Sequence, residues 1–66
     1  MKNTLKVERA RHDLTQDALA KAIGVSRQTI VAIERGDYLP STVLALKLAR
    51  HFAVPVEHIF SLEASD

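Results

Sequence analysis

Apolar residues recur along this 66-residue chain at helical rather than strand spacing. The clearest stripe is Leu44, Ala45, Leu48, Ala49 and Phe52, which predicts a core-facing helix from Thr42 to about Phe52, with Leu46 off the stripe and half exposed. Ile30 and Ile33 lie three apart and Glu34 follows Ile30 by four, so the three share one side of an earlier helix. Arg27, Val31 and Arg35 occupy its opposite side, with Gln28 and Ala32 beside them. Residues 4–12 predict a first helix with a thin apolar stripe, since Leu5 and Arg9 are four apart and the charged Glu8 stands between them. The run from Val54 to Phe60 reads as a short last helix, with Pro55 near its first position, where a missing N–H costs little. Leu62 is the last apolar residue, and 63–66 are expected to fray from an ordered body of about 4–62.

The stretch from Leu14 to Tyr38 carries the densest punctuation. Thr15 is suited to cap a helix that starts at Gln16 and runs to about Ala22, and Asp17 places negative charge near the positive end of its dipole. Gly24 permits a left-handed stop, Val25 is an apolar plug beneath the turn, and Ser26 caps the next helix. Asp13 is likewise suited to a left-handed stop after the first helix. Two short helices joined by so tight a turn form a helix-turn-helix layout, which points to DNA. The outward face of the second helix supports that direction. Arg27 can grip guanine O6 and N7 and Gln28 adenine N6 and N7, each bidentately, while Val31 and Ala32 can touch thymine methyl groups.

The run LTQDALAKAIGVSRQTIVAIERGDYLPS, followed by LALKLARHF and VEHIF, resembles the Cro and lambda-type phage repressor family, the XRE-like regulators, in its short single-domain form. The resemblance extends from about Leu5 to Phe60. It implies an all-α, compact five-helix bundle in which helices two and three form the helix-turn-helix. It also implies phosphate contacts from Gln16, Thr29, Arg35 and Tyr38, with the loop from Arg35 to Ser41 running along the DNA backbone. Tyr38 is equally open to a packing role with its hydroxyl in water, and Ser41 reads as the N-cap of helix four. Arg9 has two readings, a phosphate contact or a salt bridge to Glu34, and the resemblance favours the salt bridge. Glu8 departs from the family pattern, which usually has an apolar residue there, and Asp37 stands where Lys is common.

Composition narrows the classes further. A chain this short forms one domain, 1–66, that buries only about 60% of the surface of its unfolded chain, so a dimer would help stabilise it. Net charge is only +1, from nine Lys and Arg against eight Asp and Glu, so any affinity for a polyanion must come from where charge sits. The absence of Cys excludes disulfides and thiolate metal sites, and His12, His51 and His58 are scattered without ligand spacing. No metal, cofactor, small-molecule ligand or enzyme activity is expected. No apolar run reaches the roughly 18 residues of a membrane span, and the first residues lack a signal peptide's apolar centre, so a cytoplasmic location is expected.

Two functional classes remain open at this level. The first is a sequence-specific, homodimeric DNA-binding regulator, a repressor reading a near-palindrome on double-stranded DNA. The second is an antitoxin or accessory module that uses the same fold to bind a protein. Val56, Ile59, Phe60 and Leu62 offer more apolar atoms than so short a helix hides, and they are the expected subunit interface. The competing arrangement has Ile59 and Phe60 closing the monomer core and leaves only Leu62 exposed.

Overall fold

A computed structural model describes residues 1–66. Five helices follow one another as α1 (Leu5–Arg11), α2 (Gln16–Ile23), α3 (Arg27–Arg35), α4 (Thr42–Phe52) and α5 (Val56–Ile59). They are clasped by a two-stranded antiparallel ribbon of β1 (Lys2–Asn3) and β2 (Phe60–Ser61), with Lys2 opposite Ser61 and Asn3 opposite Phe60. The expected all-α five-helix bundle is therefore the architecture, and the ribbon is a minor addition.

The core explains why such short helices persist. Helices of this length are marginal alone in water, so packing must hold them. Leu5 of α1, Leu19 of α2, Ile30 and Ile33 of α3, Leu48 of α4 and Ile59 of α5 are all essentially inaccessible to solvent, so every helix gives the common core at least one such residue. Each is worth about 1.5–3 kcal/mol of burial. Leu44, Ala49 and Phe52 complete the α4 stripe, and Leu46 lies off it, 53% exposed.

Three features depart from the sequence expectation. The last helix is shorter, because Phe60 leaves it with φ −116° and ψ 133° and enters β2. Ile59 and Phe60, assigned to a subunit interface, instead lie in the core, 1% and 7% exposed, while Leu62 is 79% exposed and Val56 is half-buried. The chain turns extended at Phe60, and the residue lies within the core cluster. The last four residues, expected to fray, close a turn in which Asp66 Oδ2 accepts from the Glu63 N–H at 2.8 Å. The Met1 ammonium lies 3.3 Å from Glu63 and 3.0 Å from Asp66.

Glu8 occupies the apolar position of α1 without leaving a polar atom unpaired. Its side chain is 4% exposed, with His58 Nε2 at 2.7 Å and Arg11 Nη1 at 3.2 Å from Oε1. No buried side-chain nitrogen or oxygen in the protein lacks a partner.

Candidate nucleic-acid interface

Capping residues set the angle between α2 and α3. Thr15 has extended φ and ψ, and its hydroxyl accepts from the Ala18 N–H at 3.0 Å, which starts α2. Gly24 ends the helix at φ 84°, and its N–H and that of Val25 both donate to Ala20 O, at 2.8 and 3.0 Å. A Cβ here would meet no neighbour, so the demand for Gly is conformational rather than steric. Ser26 starts α3 two residues later by accepting from the Thr29 N–H at 3.2 Å. Gly36, at φ 80°, ends it.

Ile30 and Ile33 press the inner face of α3 into the core, which turns the opposite face outward. Arg27, Gln28 and Arg35 are exposed on it, and Val31 and Ala32 are half-buried between them. No part of the protein's own body covers the three polar side chains. Thr29 is half-buried, with its hydroxyl 3.0 Å from that of Ser26. Arg35 Nε is 3.4 Å from Asp37 Oδ2, so the acidic residue in the following loop partly neutralises the cation beside it. Tyr38 is 45% exposed in the same loop.

A chain of side chains ties this face to the interior. Arg9 donates from Nε to Glu34 Oε2 at 2.8 Å and from Nη2 to Oε1 at 3.3 Å, and its Nη1 donates to Leu14 O at 2.8 Å. The two side chains are 16% and 5% exposed, so α1 is braced against α3 by a largely buried, bidentate ion pair. Gln16 Nε2 donates to Glu34 Oε1 at 3.2 Å, while its Oε1 accepts from Arg27 Nη2 at 3.3 Å. Gln16 therefore spans the buried pair and the first residue of α3, a link that the separation of 16, 27 and 34 in sequence did not suggest. Lys6, Arg9, Thr15, Gln16, Asp17 and Arg27 line one shallow polar depression at the start of α2. Lys6 and Arg27 are its cations without a carboxylate partner, whereas Asp17 is paired with Lys21 at 3.1 Å. Backbone N–H groups at the α2 N-terminus add partial positive charge there, which favours an anionic oxygen.

Asn3 was also missed from sequence. Its Nδ2 donates to Ile33 O at 2.9 Å and its Oδ1 accepts from the Leu5 N–H at 3.2 Å, so the N-terminal strand holds the C-terminal half of α3. Nothing in the local sequence around Asn3 signals a partner thirty residues away. The histidines have structural contacts. His12 and His51 flank the Phe52 ring, the first tilted and the second edge-on, with centroids 5.0 and 5.2 Å away, and His58 meets Glu8.

The profile of the helix-turn-helix family matches residues 5–59. The chain belongs to this family. This helix-turn-helix protein is 60% identical over 63 residues to an uncharacterized HTH-type transcriptional regulator of Methanocaldococcus jannaschii, with 96% of each chain covered. It is 49% identical over 63 residues to one of Bacillus subtilis, again over 96% of each. It is 39% identical over 57 residues to the cryptic phage CTXphi transcriptional repressor RstR of Vibrio cholerae, which covers 86% of this chain and 49% of that one. Among solved structures, the SOS-response transcriptional repressor LexA from Eubacterium rectale superposes with a TM-score of 0.80 at 27% identity, over 94% of this chain and 66% of that one. The protein is thus a DNA-binding transcriptional regulator of the XRE-like, lambda-repressor type, and its family is one of regulators rather than enzymes. No helix is long and apolar enough to cross a membrane.

Proposed function

We propose that the protein is a homodimeric repressor that places α3 in the major groove of a near-palindromic operator and acts by occupying it. The observation carrying this reading is the outer face of α3, where Arg27, Gln28 and Arg35 stand exposed on a helix fixed by two buried isoleucines and capped at both ends. Arg27 and Gln28 read base edges from the first turn of the helix, and Val31 and Ala32 meet thymine methyl groups. Gln16, Thr29, Arg35 and Tyr38 hold phosphates. Thr29 does so through a hydroxyl that also meets Ser26, and Arg35 by exchanging Asp37 for a phosphate oxygen.

One such face spans only part of a helical turn of DNA, and two copies about 34 Å apart would enter successive major grooves on one side of the duplex. Selection of bound sites from a random duplex pool, followed by gel-shift titration at several salt concentrations, tests both parts. The expected outcome is one paired half-site motif, resistant to competitor DNA, with affinity falling steeply as salt rises. Binding without sequence preference, or only to a single unpaired motif, would overturn the reading.

A further inference from the structure

Five of the nine Lys and Arg side chains, Lys2, Lys6, Arg27, Lys47 and Arg50, have no carboxylate partner, since Arg9, Arg11, Lys21 and Arg35 account for the other four. Lys6 and Arg27 share the depression at the start of α2, beside the face proposed to read DNA. Lys47 and Arg50 meet at the other end of that helix. There Ala22 and Ile23, the last two residues of α2, join Lys47, Arg50 and His51 of α4 in lining an open depression of about 320 Å³. The three basic side chains stand at i, i+3 and i+4, so they share one face of α4. All three are exposed, α4 contains no carboxylate, and none lines the depression. The dipole of α4 accounts for Arg50 and His51, which lie in its last turn, but not for Lys47 a turn earlier. Like charges at this spacing repel, so an anion bound among them relieves a cost that the free chain carries.

The chemistry of the lining selects the occupant. Arg50 presents a planar fork that matches two phosphate oxygens, and Lys47 adds a point charge one turn away. His51 adds a ring nitrogen, and its edge-on contact with Phe52, centroids 5.2 Å apart, holds the imidazole in place. Ala22 and the half-buried Ile23 supply an apolar wall beside these cations, which calls for a ligand with an apolar part as well as a multiply charged one. The volume is at the lower end of the range for small-molecule sites, about 300–1,000 Å³, and so suits a mononucleotide rather than a protein segment. We propose that this depression binds a nucleoside triphosphate, with its phosphate chain on Lys47, Arg50 and His51 and its base against Ala22 and Ile23. Ile23 immediately precedes Gly24, whose left-handed conformation closes α2, so a ligand held between α2 and α4 touches the turn that orients α3. Sequence offers no sign of such a ligand, because residues 22–23 meet residues 47–51 only after the helices have packed.

Titration of the isotope-labelled full chain with adenosine triphosphate, followed by NMR at constant ionic strength with EDTA present, tests the site. Saturable shifts should centre on Ala22, Ile23, Lys47, Arg50 and His51. K47A/R50A should bind about tenfold or more weakly, because two charge-assisted contacts are lost, while its thermal melt matches the parent's since both side chains are exposed. Inorganic triphosphate, which lacks the base, should bind about threefold or more weakly than adenosine triphosphate, and adenosine, which lacks the charge, should not bind detectably. The proposal is overturned if adenosine triphosphate gives no saturable shifts, if the shifts centre on Lys6, Gln16 and Arg27 instead, or if K47A/R50A binds like the parent. Equal affinity for inorganic triphosphate or for adenosine would also overturn it, the first by removing the base from recognition and the second by removing the phosphates. No lining residue belongs to the outer face of α3, so K47A/R50A should keep its affinity for duplex DNA, and failure of the nucleotide site leaves the reading of DNA by α3 untouched.

Discussion

The helix-turn-helix and the clasp formed by the chain ends are held together in opposite ways. Between Thr15 and Gly36 the decisive contacts are short-range: a hydroxyl three residues before the N–H it caps, a left-handed glycine closing onto a carbonyl four residues back, and a second hydroxyl starting the next helix. At the ends they span nearly the whole chain. The Thr4 N–H donates to Ile59 O at 2.8 Å and its hydroxyl to His58 O at 3.0 Å, and β1 pairs with β2. The caps and turn of the first region are set by its own local sequence, although its short helices still need the common core to persist. The second exists only once the five helices have brought the ends together, so it reports on assembly of the whole and is the part most easily loosened.

Arg9 braces α1 against the helix-turn-helix, and its removal should have the largest effect. Arg9→Ala leaves the Glu34 carboxylate largely buried with only the Gln16 amide for a partner. It should cost about 3 kcal/mol or more, because an unpaired buried charge is far more expensive than the net worth of the pair. Urea unfolding would show the midpoint falling sharply. A loss below about 1 kcal/mol would mean that water reaches Glu34 and that α1 is not braced through it.

Next come the residues that carry the proposed reading of DNA, where binding should change while stability does not. Arg27→Ala or Gln28→Ala should each cost about 1–3 kcal/mol on the selected operator and relax preference at one or two base pairs. Arg35→Ala should weaken all sequences alike and reduce the salt slope by about one. Thermal melts of all three should match the parent, since each side chain is exposed. Equal losses on operator and random DNA for Arg27 and Gln28 would remove them from base recognition.

The same contrast separates what was legible in the sequence from what was not. Thr15, Gly24, Ser26 and the Ile30, Ile33 pair announce their roles within one or two helical turns, so the helix-turn-helix and the outward face of α3 follow from local rules. The α4 stripe is equally plain at helical period. The strands β1 and β2 are two residues each, too short for an alternation to be visible, and they pair across about sixty positions. The same blindness hid Asn3, Gln16 as a link to Arg27, and the burial of Phe60, all of which depend on where distant segments land. Ala53 is a further case. It ends α4 at φ 55°, where Gly is preferred, because packing on both sides overrides a local cost of about 1 kcal/mol.

Two single hydrogen-bonding residues, one from each region, should cost about the same but act differently. Ser26→Ala removes the α3 cap and should cost about 1 kcal/mol. Asn3→Ala removes the link to Ile33 O and should also cost about 1 kcal/mol. Hydrogen exchange distinguishes them. The first should raise exchange at the start of α3, whereas the second should do so in β1 and β2 and at the end of α3. If Asn3→Ala left the terminal amides as protected as before, the clasp would be held by its strand pairing alone.

The smallest effect is confined to the clasp and depends on pH. The Asp66 carboxylate, more than Glu63, holds the Met1 ammonium above its ordinary value by hydrogen bonding, against a smaller opposing effect of desolvation. Asp66 itself is held below its ordinary value, chiefly by the Glu63 N–H and then by the ammonium. A raised ammonium contributes fully below its ordinary pKa of 8.0, and that contribution is lost as pH climbs through the raised value. A lowered carboxylate contributes above its ordinary 3.8 and loses that contribution as pH falls through the depressed value. The tie is therefore complete between these limits and loosens beyond either. Both groups are exposed, so water and salt screen the pair and the melting temperature should barely move. Amide exchange at Thr4, corrected for the intrinsic effect of pH, should keep constant protection between pH 5 and about 8 and lose part of it above, while Ile33 changes little. If Thr4 and Ile33 instead kept equal protection well into alkaline pH, the terminal ion pairs would contribute nothing to holding the ends, leaving the clasp to its backbone hydrogen bonds.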